Sequence, residues 1–270
     1  LNESLVTLKL LFLAAILAAG WLGGWIPLLR HRDAPDSTFL SLGNAFAAGV
    51  FLGSGLIHLL SEADTIWKDL GWDYPIAYVL AAAGFAAILL VEHVLLPEAA
   101  HEVVHAHPGS GHSHRELHTA PKRIYPYMLV VALSFHSIVA GVALGIQDRI
   151  GELLVVFVAI LAHKSTEGFA LGIALVRNGE SRRRSYTFVA LLAAMTPLGI
   201  LAGMTVGGLL DGTIERTFDA TFLAFAAGTF VYIAALDILQ DEFLRPGSRF
   251  LKWLFAALGL AVAALLAVWV

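Results

Sequence analysis

The sequence predicts an all-α fold, a polytopic membrane protein of eight transmembrane helices with inverted internal repeats. Three observations lead there. First, 58% of the 270 residues are hydrophobic and only 14% are charged, with a mean hydropathy of +0.77. A water-soluble domain carries about 25% charged residues, so an aqueous fold would need a large core with almost no polar skin. Second, the apolar residues are gathered into runs of roughly 20, the length at which a helix crosses hydrocarbon. Third, two pairs of these runs resemble one another.

The eight spans are predicted at 4–28, 39–61, 74–96, 125–146, 152–176, 186–210, 218–239 and 250–270, within a single transmembrane domain covering 1–270. Backbone groups facing lipid must bond inside their own segment, which makes each span a helix. Barrel strands would be shorter and would alternate in polarity. The first run has the length of a span rather than a leader. No basic cluster precedes it, and Arg30 and Arg32 follow it, the flanks of a membrane helix. The chain opens at Leu1 rather than at a methionine, as a trimmed sequence would. Cysteine is absent, which excludes disulfides and thiolate metal sites.

Basic residues set the expected orientation. Twelve fall in the odd-numbered loops or beside them: Arg30, Arg32, Arg115, Lys122, Arg123, Arg177, Arg182, Arg183, Arg184, Arg245, Arg249 and Lys252. Four lie toward the other side: Lys9, Lys68, Arg149 and Arg216. Cytoplasmic loops hold the excess of Lys and Arg. Both termini are therefore expected to be extracytoplasmic, in a plasma or inner membrane. The loop at 97–124 contains six of the eleven histidines (His101, His105, His107, His112, His114 and His118) together with Pro97, Pro108, Gly109, Gly111 and Pro121. It reads either as a flexible polar connection or as a weak metal-collecting arm.

The repeats pair spans of opposite direction. AFAAGVFLGSGLIHLLSE at 45–62 and AFAAGTFVYIAALDILQD at 224–241 share seven of eighteen positions at a constant offset of 179. HSIVAGVALG from His136 and HKSTEGFALG from His163 share five of ten. Related helices that cross in opposite senses characterise transporters whose sites lie near the midplane.

A charge at the bilayer centre costs roughly 2.5–3.5 kcal/mol on the lenient insertion scale, and residues that bear this cost usually handle an ion or a proton. His136 sits in span 4. His163 and Glu167 lie one turn apart in span 5 and share a helix face. Two imidazoles and a carboxylate suit zinc or another first-row divalent ion, and three protein ligands leave a position open. An internal hydrogen-bond network is the alternative. Gly141 and Gly145 on span 4, with Gly168 and Gly172 on span 5, are expected to let these two helices approach closely. His58 and Glu62 mark an expected entrance, and Asp237, Glu92 and His93 an expected exit. Interfacial charges already in water are the plainer reading of all five.

HSIVAG followed 27 residues later by HKSTEG resembles the paired signature of the ZIP (Zrt/Irt-like) transporters of zinc and iron. The similarity extends over the whole chain: eight spans, the His-rich loop between spans 3 and 4, and the paired motif on spans 4 and 5. It implies alternating-access carriage of divalent metal into the cytosol, with ligands at His136, His163 and Glu167. Zinc (Zn2+) is the leading substrate, with iron, manganese and cadmium as further ones. Some members of the family bind a second ion. At the positions of its ligands this chain has Ser137, Ala140, Lys164 and Thr196, which implies a single site, with the Lys164 ammonium standing near the place of the second ion. A lipid-snorkelling lysine and a Lys164–Glu167 salt bridge are the alternatives. The expected partners are divalent ions and the lipid bilayer, with a homodimer as a candidate assembly and no nucleic acid. Two other functions use buried His and Glu. An intramembrane zinc hydrolase would want a motif such as H-E-x-x-H within a span; the one match, HEVVH at 101–105, falls in the polar 97–124 loop and in none of the eight predicted spans, and a non-transporting metal sensor would leave no signature of its own.

Overall fold

The computed structural model describes residues 3–30, 37–95, 125–206 and 212–267. The His-rich segment 97–124 lies outside them. Among the described residues there is no strand, and eight helices are long and apolar enough to cross a membrane. They are α1 (Glu3–Arg30), α2 (Thr38–Asp69), α3 (Ile76–Val94), α4 (Tyr125–Ile146), α5 (Ile150–Arg177), α6 (Arg182–Val206), α7 (Gly212–Leu244) and α8 (Arg249–Leu266). Leucine and alanine dominate them, and both are among the better helix formers. Ser37 and Ser248 cap α2 and α8 by accepting the amides of Leu40 and Leu251, as N-cap side chains do. Pro27 and Pro197 lie within α1 and α6 without ending either helix.

Side-chain contacts fix the up-and-down order. Tyr127 at the start of α4 donates to Glu180 just beyond α5 at 2.6 Å, and Lys252 at the start of α8 donates to the Glu242 carbonyl near the end of α7 at 2.6 Å. One end of the molecule therefore gathers Arg177, Arg182, Arg183, Arg184, Arg245, Arg249 and Lys252; it is termed the basic end. At the opposite end, Arg216 of α7 pairs with Asp69 of α2 at 2.7 Å, and Lys9 of α1 donates to the Gly145 carbonyl of α4 at 2.6 Å.

The helices sort into two bundles. In one, α1 runs along α5 and α6, and α4 along α6; in the other, α2 runs along α8 and α3 along α7. Backbones touch where glycine removes the side chain. A methyl group on Gly168 would lie 2.2 Å from the Gly20 carbonyl oxygen of α1, and one on Gly141 would lie 2.2 Å from that of Thr196 in α6. No such group fits. The sequence reading placed these glycines between α4 and α5, and the structure corrects it. Gly141 and Gly145 face α6, while Gly168 and Gly172 face α1. The reason is helical phase. Gly141 and Gly168 each stand five residues past a ligand histidine, which at about 100° per residue turns them some 140° away from it.

The second bundle uses the same device. Gly49 of α2 meets the Ala256 carbonyl of α8, and Gly228 of α7 meets the Ala81 carbonyl of α3. Gly49 and Gly228 occupy matching places in the 179-residue repeat. Both helices also widen at matching places into π-helical turns, at Ser54–Leu59 in α2 and Ile233–Leu239 in α7.

Candidate metal centre

α4 and α5 meet α7 around three buried ligand atoms. His136 comes from α4, and His163 and Glu167 from successive turns of α5. Their relative exposures are 3%, 6% and 1%. Glu167 Oε1 lies 3.7 Å from His136 Nε2 and 3.6 Å from His163 Nε2, and one ligand atom from each residue falls within 4.8 Å of the other two. These separations are too long for hydrogen bonds. They approach the ~3.3 Å spacing of ligands that share a tetrahedral zinc through bonds of ~2.0–2.1 Å. Among the described residues, His136 Nε2 is buried without a hydrogen-bond partner. An orphaned buried nitrogen is costly, and a cation is one group that would satisfy it.

The far side of the carboxylate is already engaged. Lys164 Nζ lies 3.0 Å from Glu167 Oε2 and donates to Ser137 Oγ at 2.6 Å, while Ser137 lies 3.3 Å from the same Oε2. Lys164 is 1% exposed, so it makes the internal salt bridge and does not snorkel. Gly20 gives its stem room, since a methyl there would stand 3.2 Å from Lys164 Cε. One oxygen of Glu167 thus faces the ammonium and the other faces the two imidazoles. Ala140 lies one turn beyond His136 in the wall of a cavity. Thr196 is buried in α6, and its hydroxyl has no hydrogen-bond partner among the described residues.

That cavity, of about 110 Å³, is lined by His136 and His163 at its base and by Ala143, Gln147, His58 and Glu62 above them. It leads toward the end opposite the basic one, where α4 finishes at Ile146. His58 Nδ1 and Glu62 Oε2 are 3.8 Å apart. Asp219 of α7 lines the same cavity. The sequence reading missed it. Its only signal was an acidic residue in the first turn of span 7, at the level of Glu62, and that position invites the interfacial explanation.

The expected exit residues lie on the other side of the site. Glu92 and His93 converge on the Tyr232 hydroxyl of α7, which donates to Glu92 Oε2 at 2.9 Å and lies 3.1 Å from His93 Nδ1. Asp237 is buried farther along α7. His58, Glu92, His93 and Asp237 all fall within π-helical turns, a geometry frequent at functional sites. The base of the centre is aromatic. Phe230 packs against His136 with ring centroids 4.5 Å apart and planes tilted by 56°, and Phe51 meets Phe230 at 5.3 Å.

Membrane-spanning helices around a buried two-histidine, one-carboxylate group that could hold a metal ion define the class of the protein. Comparison with known proteins gives the class its family. The sequence model described as ZIP Zinc transporter matches residues 6–114 and 97–267. Zinc transporter ZIP1 of Takifugu rubripes is 31% identical over 98% of each chain, and zinc transporter ZIP2 of Homo sapiens is 31% identical over 99% of each. Zinc transporter 11 of Arabidopsis thaliana is 28% identical over 99% of this chain and 87% of its own. The chain belongs to the ZIP zinc transporter family.

Proposed function

We propose that the protein carries zinc across the membrane into the cytosol, binding one ion at a time between His136, His163 and Glu167. One observation carries the reading: the orphaned His136 nitrogen, His163 and one oxygen of Glu167 converge in a buried centre that a cavity joins to one end of the molecule. A structural zinc site would be closed on four protein ligands. Three ligands beside a cavity suit an ion that must arrive and leave.

Charge supports the orientation that this direction needs. The basic end is cytoplasmic under the positive-inside rule, so the cavity opens to the outside and both termini are extracytoplasmic, in a plasma or inner membrane. The ion enters past Asp219, Glu62 and His58. It leaves past Asp237, Glu92 and His93 once the bundle of α1, α4, α5 and α6 has moved against that of α2, α3, α7 and α8. The matching glycine contacts of Gly49 and Gly228 support an inverted repeat relating the helices of each bundle. Lys164, bridging Ser137 and Glu167, occupies the side of the carboxylate where a second cation would compete, while Ala140 and Thr196 add no carboxylate there. Iron, manganese and cadmium accept the same donor set and are proposed as further substrates.

The test is zinc uptake by proteoliposomes containing the purified protein, repeated across this panel of ions. Uptake is expected from the parent and is lost in His163→Ala and Glu167→Ala. Undiminished uptake by both variants would remove the centre from the pathway.

A further inference from the structure

The centre is open toward one end and closed toward the other, and the closure has two layers. Immediately beneath the ligands lies apolar packing from both bundles: Phe51, Leu133, Leu171, Ala174, Phe230 and Ala234 belong to one buried cluster. Below that, at the basic end, lies an ionic knot. Glu242 of α7 is completely buried. Its carboxylate accepts from Ser41 Oγ and Asn44 Nδ2 of α2, both at 2.8 Å, and pairs with the Arg177 guanidinium of α5. Arg177 also lies 3.6 Å from Asp241, which Arg245 holds at 2.7 Å. Lys252 of α8 fastens the end of α7 through the carbonyls of Glu242, Arg245 and Pro246.

These contacts are unevenly shared between the bundles. Ser41, Asn44, Asp241, Glu242, Arg245 and Lys252 all belong to the α2, α3, α7, α8 bundle or its connections. Arg177 belongs to the other bundle, and to the helix that carries His163 and Glu167. It lies ten residues beyond Glu167, some 15 Å along the helix. The second bundle holds a prepared anionic socket, and the first inserts one cation into it.

We infer that Arg177 and Glu242 form a latch that holds the basic end shut while the centre is open to the opposite end, and that opening toward the basic end requires Arg177 to leave its socket. The inference rests on the carrier reading and adds to it the contact that decides which side is open. The socket is built to tolerate the departure. Ser41 and Asn44 continue to satisfy the Glu242 carboxylate, and the guanidinium at the end of α5 comes out beside water. Breaking a buried pair by deleting one partner is costly; separating one whose halves are each resolvated or hydrogen-bonded is less so.

The cysteine-free sequence makes the test direct. One reporter is Ala174→Cys, in the packed layer on α5 between Glu167 and Arg177. The other is Ala143→Cys, on α4 in the cavity wall. The rate at which each thiol reacts with a small maleimide is measured on the full chain in zinc-free lipid nanodiscs. Arg177→Gln is expected to raise the Ala174→Cys rate by about tenfold or more and to lower the Ala143→Cys rate, since a buried pair carries more than one decade of population. Glu242→Gln shifts both rates in the same directions and serves if Arg177→Gln fails to fold. Arg177→Lys, which keeps the charge, stays near the parent. Unmoved rates in both neutral variants would overturn the latch. So would a rise at both reporters together, which signals general loosening. The labelling needs no flux: a parent that takes up no zinc defeats the carrier reading, whereas normal uptake with unmoved rates defeats the latch alone.

Discussion

Lys164 Nζ lies 3.0 Å from Glu167 Oε2 in a place where both side chains are 1% exposed. A buried pair of this kind is bound together by the cost of leaving either charge alone. Removing one partner of a buried pair typically costs 3–5 kcal/mol. Lys164→Met is therefore expected to lower the thermal stability of the zinc-free protein in detergent. The orphaned carboxylate then depends on metal for its counter-charge, so saturating zinc should raise the melting temperature of Lys164→Met by more than it raises that of the parent. Ligand present at 100 times its Kd contributes ~2.7 kcal/mol, enough to recover much of the loss. Equal zinc shifts in the two proteins would mean that Lys164 does not govern the charge of the centre.

The same pair bears on stoichiometry. With Lys164 and Ser137 occupying one oxygen of Glu167 and Ala140 offering no ligand atom, a second ion would meet a buried ammonium instead of a carboxylate. At a separation of 4 Å two unit charges repel by about 4 kcal/mol at an effective dielectric of 20, and more for a divalent ion. One tightly held divalent ion per chain is expected from elemental analysis of protein equilibrated with zinc and desalted. Two ions at the centre would refute this.

Bundle packing makes a prediction independent of metal. A methyl group added at Gly168 would stand 2.2 Å from the Gly20 carbonyl, and α1 cannot yield without disturbing the stem of Lys164, which packs on Gly20. Overpacking of this kind costs about 1–3 kcal/mol. Gly168→Ala is expected to lower the melting temperature whether zinc is present or absent. Gly151→Ala, where none of the described residues lies within 4 Å of the added group, serves as the neutral control. A melting temperature for Gly168→Ala equal to that of the control would contradict the close approach of α1 and α5.

What the sequence revealed and concealed follows the physics of the bilayer. The helices were legible because lipid leaves a span no other backbone state. The burial and convergence of His136, His163 and Glu167 were legible because such residues are expensive at that depth. The predicted span 39–61 stopped early for the same reason: Glu62, Asp64, Lys68 and Asp69 end the apolar run, although the helix continues to Asp69. The partners of Gly141 and Gly168 were not legible, because a glycine pattern announces a close contact without naming the neighbour. The π-helical turns around His58, Glu92 and Asp237 left no trace in composition. Glu242 was passed over because a carboxylate near a helix end looks cheap. Its complete burial depends on Ser41, Asn44 and Arg177, which come from two other helices about 200 and 65 residues away in sequence. Long-range satisfaction of a charge is invisible until the chain is folded.

The cavity mouth supplies the last prediction. Glu62 and Asp219 come from α2 and α7 and line the same opening above His58. Neither belongs to the group of ligand atoms formed by His136, His163 and Glu167. Their effect on an arriving divalent cation is through the field at the mouth. A cleft lined by one sign of charge with low-dielectric walls concentrates the opposite ion and raises the rate of encounter by roughly 10–1000-fold, an advantage that salt erodes. The double variant Glu62→Gln, Asp219→Asn is therefore expected to raise the KM for zinc uptake by about tenfold while leaving the maximal rate within a factor of about two, because the centre and the moving parts are untouched. Raising the ionic strength should weaken uptake by the parent and affect the double variant much less. A collapse of the maximal rate at unchanged KM would instead assign these carboxylates to a step after binding. Equal salt sensitivity in both proteins would show that the mouth exerts no steering at all.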